Sequence, residues 1–108
     1  PGVGVSLDAL TSRAALLSSV SLEAPSRVVG RNTAECLQSG VLLGAAAMLD
    51  GLCDRVEEEL GYSCRVIATG GLAGLVVEHC RRPVEYSDTL LLDGLKAIYE
   101  SSLGERNL

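Results

Sequence analysis

Two short runs place glycine next to groups that bind anions. The first, Gly30-Arg31-Asn32-Thr33, precedes a long stretch of helical periodicity. A helix start presents free N–H groups and partial positive charge, so a neighbouring arginine and a free hydroxyl make it a seat for a carboxylate. The same residues also suit plain capping. The second run, Thr69-Gly70-Gly71, sits between an apolar segment and a further helical pattern. Glycines there let the backbone approach a flat or charged ligand, and the following helix start can face a phosphate. Gly-Gly occurs at many strand-to-helix turns, and no Gly-Lys-Ser/Thr follows, so this is not a Walker A loop. With His79 as the one histidine, no Ser-His-Asp set can be assembled, and no nucleophile elbow is present. Cys36, Cys53, Cys64 and Cys80 include no Cys-x-x-Cys pair, which argues against zinc and for buried free thiols. Asp50, Asp54, Glu57, Glu58 and Glu59 face only Arg55 nearby in sequence and read as a solvated helix surface rather than a metal cluster.

These runs need elements to hold them. Ser6 to Leu17 reads as a helix capped by Ser6, with Asp8 in its first turn. Ser18 to Ser26 reads as a loop, and Arg27-Val28-Val29 as a short strand or edge. Asn32, with Glu35 three residues on, forms the signature of a capping box. Leu37, Val41, Met48, Leu52, Val56 and Leu60 then carry a helical stripe for about seven turns, closed by Gly61. The middle of that helix, Gly40 to Leu49, has no polar face, and Gly40, Gly44, Ala47 and Gly51 would admit a second helix at close range. Cys64 to Ala68 reads as a short buried strand, Leu72 to Cys80 as a helix ended before Pro83, and Val84 to Tyr86 as another brief strand. Asp88 would cap a final helix, Thr89 to Leu103, stopped by Gly104. The class is α/β, helix-rich, with too few strands to complete a sheet.

The 108 residues suffice for one domain. Hydrophobic residues make up 47 %, which excludes disorder, while a net charge of −5 and the lack of Phe and Trp argue against nucleic acid as a partner. The continuously non-polar run Gly40 to Leu49 is too short to span a bilayer, so no membrane partner is expected. Pro1 to Gly4 carry no basic n-region, so no signal peptide is expected; the run reads as the end of something earlier. A reduced-thiol composition of this kind suggests the cytoplasm.

Four blocks in order resemble the type III pantothenate kinase family: Pro1-Gly-Val-Gly-Val-Ser-Leu-Asp-Ala-Leu10, Gly30-Arg-Asn-Thr-Ala-Glu-Cys-Leu-Gln-Ser-Gly40, Val66-Ile-Ala-Thr-Gly-Gly-Leu-Ala73 and Leu90-Leu-Leu-Asp-Gly-Leu-Lys-Ala-Ile-Tyr99. The resemblance covers essentially the whole chain and follows that family's C-terminal portion. It implies an actin-like, sugar-kinase superfamily fold of two ribonuclease-H-like halves, of which residues 1–108 would be the C-terminal lobe. It implies phosphorylation of pantothenate by ATP with Mg2+ and a monovalent cation (K+ or NH4+), and a cytoplasmic homodimer joined through the long helix 33–60. Thr33 then matches the threonine that contacts pantothenate at the partner's site, with Gly30, Arg31 and Asn32 around it. Thr69, Gly70 and Gly71 match the adenosine-side motif, more weakly.

The resemblance also shows what is missing from these 108 residues. The family's Asp-x-Gly-Asn-Thr phosphate loop, its Gly-x-Asp-Arg segment with the aspartate expected as general base, and its Asp-x-Gly-Thr-Ala segment do not occur. Phosphoryl transfer depends on positioning and charge neutralisation, so the chain alone is expected to be inert, with no catalytic residue and no metal ligand of its own. Two other readings remain at this point: a non-enzymatic regulatory factor of the same fold, and an inactive dimerisation fragment.

Overall fold

The computed structural model describes residues 2–13 and 20–106. Helix α1 spans Val3–Arg13. It begins three residues before the expected Ser6 cap: the Ser6 N–H donates to the Gly2 carbonyl at 2.9 Å, which places Ser6 inside the first turn. The expected end of this helix, beyond Arg13, and the start of the following loop fall outside the described residues.

One continuous helix runs from Thr33 to Leu60. Its first part, α2 (Thr33–Gln38), is capped by Asn32 in extended backbone, whose side chain accepts the Glu35 N–H at 2.9 Å. Glu35 reaches back as a capping box requires, but one residue further, taking the Arg31 N–H at 2.7 Å. A π-helical segment, Ser39–Leu43, follows and leads into α3 (Gly44–Leu60). Gly61 closes α3 in the left-handed region, φ 80°, where its N–H meets the Glu57 carbonyl at 2.8 Å. At 28 residues, with an 18-residue window of mean hydropathy 1.5, this helix is long and apolar enough to cross a bilayer by length and composition alone.

Downstream lie β1 (Ile67–Ala68), α4 (Ala73–Val77), β2 (Glu85–Tyr86) and α5 (Leu90–Arg106). β1 and β2 pair in parallel, Ile67 opposite Glu85 and Ala68 opposite Tyr86, with α4 as the crossover. The strands are shorter than expected from Cys64 to Ala68 and Val84 to Tyr86, and Ile67 is exposed rather than buried. Arg27-Val28-Val29 forms no strand: Val28 and Val29 are 73 % and 78 % exposed, because no neighbouring strand offers them a ladder. Thr89, not Asp88, occupies the start of α5, its carbonyl taking the Asp93 N–H at 2.8 Å and its hydroxyl donating to the Asp93 carboxylate. α5 passes through Gly104 to Arg106, since a glycine inside a helix costs only about 1 kcal/mol and need not end it.

The core is small. Leu42, Ala46 and Val76 pack together under Val3, Ala45 and Cys80, and Leu7 is buried in α1. α1 lies on the π segment, while α4 packs against the π segment, α3 and both strands. Every position from Leu90 to Gly104 is exposed, including the stripe Leu91, Leu92, Leu95, Ile98 and Tyr99. The radius of gyration is 18.3 Å, against about 13 Å for a compact chain of this length. The accessible surface is 7958 Å², about 2,300 Å² more than a monomeric globule of this mass exposes.

Candidate functional site

The start of the long helix is built by close backbone packing. A Cβ at Gly30 would lie 2.6 Å from the Cys36 nitrogen and 2.9 Å from its Cα, so only glycine lets the chain fold back against the first helical turn. Asn32 and Glu35 tie off this entry, and the Cys36 N–H donates to the Asn32 carbonyl at 3.0 Å. Of the four N–H groups that have no acceptor within a helix, those of Asn32, Thr33 and Ala34 remain. Thr33 and Arg31 are exposed beside them. Two further contacts fasten the preceding loop to the same helix: Gln38 donates to the Ser21 carbonyl at 3.1 Å, and the buried Ser39 hydroxyl donates to the Val28 carbonyl at 2.6 Å.

The second run leaves β1 through Thr69, turns at Gly70 and enters α4 after Leu72. Gly70 has φ 115°, a conformation strained for any side chain. The Ala73 N–H donates back to the Gly70 carbonyl at 3.3 Å, and the Tyr86 hydroxyl reaches the same oxygen at 3.4 Å. Between this turn and the start of α1 lies a cleft of about 440 Å³, with Gly2, Gly4 and Leu72 among its walls. Of the five clefts described, that beside α1 is lined by Thr69–Gly71 and none is lined by Gly30–Thr33.

The acids of α3 are not simply solvated. Asp50 accepts the Arg81 N–H at 2.8 Å and the Arg82 N–H at 3.3 Å. The Arg82 guanidinium, 16 % exposed, meets Asp54 at 3.1 Å and forms a short contact with Glu57, 21 % exposed. The other Glu57 oxygen accepts the Cys64 N–H at 2.8 Å. The Arg82 guanidinium, with the Cys64 N–H, holds the Glu57 carboxyl below its ordinary value, and Glu57 in turn raises Arg82. Sequence reasoning missed this node, although Asp50, Asp54 and Glu57 recur at helical spacing on one face and Arg81-Arg82 is the chain's only basic pair. On the sheet, Arg65 pairs with Glu85 through both oxygens, at 3.0 and 2.6 Å, which lowers the Glu85 carboxyl.

The four cysteines are free, as expected, but not fully buried: Cys36 is exposed and the others half-buried. Burial, then the charge of Asp50, pushes the Cys80 thiol up. His79, half-buried, borders the cleft that Asp50, Asp54, Arg81 and Arg82 also line. Among the described residues no three His, Cys, Asp or Glu side chains gather as a metal site would need.

The sequence is similar to proteins of one enzymatic class, the small-molecule kinases. A family model described as type III pantothenate kinase matches residues 1–55. The chain is 44 % identical to a type III pantothenate kinase of Salinispora arenicola over 95 % of its length and 41 % of the relative's. It is 45 % identical to that of Acidothermus cellulolyticus, over 97 % and 41 %, and 48 % identical to that of Roseiflexus castenholzii, over 93 % and 39 %. This chain belongs to the type III pantothenate kinase family, and it spans about two fifths of the length of these curated relatives.

Proposed function

We propose that residues 1–108 are the C-terminal lobe of an ATP-dependent kinase that converts pantothenate to 4'-phosphopantothenate on the way to coenzyme A, a cytoplasmic homodimer of the actin-like superfamily. The observation that carries this reading is the helix start at Thr33. An exposed hydroxyl stands there beside unclaimed backbone N–H groups and Arg31, a donor set suited to a substrate that bears both a carboxylate and hydroxyls. Gly30 and Asn32 shape that seat. Thr69, Gly70 and Gly71 form the adenosine side, where a turn without side chains at Gly70 and Gly71 lets a nucleotide approach the backbone. The apolar face of the helix 33–60 supplies the interface between protomers, a reading that the exposed Met48, Leu52, Val56 and Leu60 support.

Among the described residues no acids are assembled as a site for Mg2+ or a monovalent cation would need. The carboxylates of Asp50, Asp54 and Glu57, which follow one another along α3, already meet Arg82 and backbone N–H groups. This lobe therefore binds and orients, and phosphoryl transfer itself awaits groups that it does not contain. The test is steady-state kinetics of a kinase carrying this lobe at the full length of its relatives. Thr33→Ala should raise KM for pantothenate more than KM for ATP, and an unchanged KM for pantothenate removes Thr33 from the site.

A further inference from the structure

The two strands that carry the Thr69–Gly71 turn are two residues long each. A ladder so short does not hold its own geometry in water. Contacts outside the ladder must help to fix where the turn lies, and beside the packing of α4 on both strands there are those around Arg82.

β1 begins three residues after Cys64, whose N–H is held by Glu57. β2 begins three residues after Arg82, whose own N–H is held by Asp50 and whose guanidinium joins Asp54 and Glu57. Both strand roots are thus fastened to one face of α3, and a single guanidinium links the two fastenings through Glu57. From those roots the strands run in parallel, with the Glu85 N–H on the Val66 carbonyl and the Ser87 N–H on the Ala68 carbonyl, each at 2.9 Å. Just past the end of that pairing the Tyr86 hydroxyl meets the Gly70 carbonyl. Arg82 is half-buried and its Nε has no acceptor among the described residues, so its fork is committed to the two carboxylates at the cost of one unpaired donor.

We infer that Arg82 is a positioning residue for the Thr69–Gly71 turn, acting through Glu57 and the roots of β1 and β2, and that its loss displaces the nucleotide side while leaving the Thr33 side in place. The inference rests on reading that turn as the nucleotide side. Thr33 lies at the far end of the same helix, 24 residues or about 36 Å from Glu57 along the axis, so the two sides can be perturbed separately.

The experiment compares Arg82→Lys and Glu57→Gln in the full-length kinase, reading both Michaelis constants, kcat and the melting temperature. Lysine keeps the charge but cannot bridge two carboxylates, and glutamine keeps the shape of Glu57 without its charge. Each should raise KM for ATP by about tenfold, the weight of one charge-assisted hydrogen bond, with KM for pantothenate unchanged. Equal rises in both constants, or a lowered melting temperature with both constants unchanged, would overturn the inference in favour of a purely structural role. Should Arg82→Lys fail to fold, Glu57→Gln decides by the same comparison. Gly70→Ala, which strains the turn directly, separates the two levels of the argument. If it raises KM for ATP and the node variants do not, Arg82 is not a positioning residue. If it changes neither constant, the nucleotide-side reading fails, and the inference with it.

Discussion

Gly30→Ala isolates a single steric event. The added methyl would sit 2.6 Å from the Cys36 nitrogen, 2.8 Å from its sulfur and 2.9 Å from its Cα, where ordinary contact is 3.4–4 Å. Two of those three atoms are backbone in the first turn of the long helix, so no side-chain rotation relieves the overlap. The backbone at Gly30 is outside the left-handed region, so torsional strain does not enter. Overpacking of this kind costs about 1–3 kcal/mol, while alanine gains about 0.4–1 kcal/mol by restricting the unfolded chain. The balance is a loss of about 1–2 kcal/mol. In a protein of the relatives' length, that lowers the melting temperature by about 2–8 °C. The assay is thermal unfolding by circular dichroism, with Gly104→Ala as the matched control. That position lies inside α5 with open space around it, so the same methyl should stabilise by up to about 1 kcal/mol. A Gly30→Ala variant as stable as the parent, beside a control that gains as expected, would refute the claim that the helix entry is packed against rigid backbone.

Asn32→Ala removes the side-chain acceptor of the Glu35 N–H and should cost about 1 kcal/mol, read from the same melts. Gly44→Leu should shift the protein from dimer to monomer in sedimentation velocity, because a branched side chain bars close approach of a second helix; a variant that stays dimeric would place the interface elsewhere. The Glu57 carboxyl is held below its ordinary value of 4.5, so its ion pair contributes stability above that pH and loses it as pH falls through the lowered value. Acid titration of the melting temperature below about pH 4.5 should therefore be shallower in Glu57→Gln than in the parent, and identical curves would show that the pair does not couple to folding.

What could be read from the residues was mostly local. The cap at Asn32, the reach of Glu35, the length of the helix to Leu60 and the left-handed Gly61 all depend on neighbours within one turn, and spacing alone announces them. The turn between strand and helix at Gly70 was legible too, though not its positive φ. The misreadings involve distant partners. Val28 and Val29 have β propensity but nothing to pair with, so they stay exposed. The acids of α3 look solvated in a helical projection because Arg82 lies 25 residues beyond Glu57 in the chain. Ser6 resembles a cap, yet Gly2 takes the first backbone bond four residues earlier. For the candidate site, the two runs were proposed from their composition, whereas the contacts around Arg82 join residues at least 25 positions apart and belong to the tertiary arrangement.

The wider turn at Ser39–Leu43 has a geometric consequence for everything upstream of it. A helix with such a turn carries one residue more than a regular ladder would take over that stretch. Each residue of an α-helix advances the azimuth by about 100°. The wider turn absorbs that extra residue, so the helix from Thr33 to Gln38 keeps a heading that a regular ladder of the same residue count would turn by roughly that angle. The heading of the Thr33 hydroxyl thus depends on the hydrogen-bond pattern of this segment as much as on the identity of its residues.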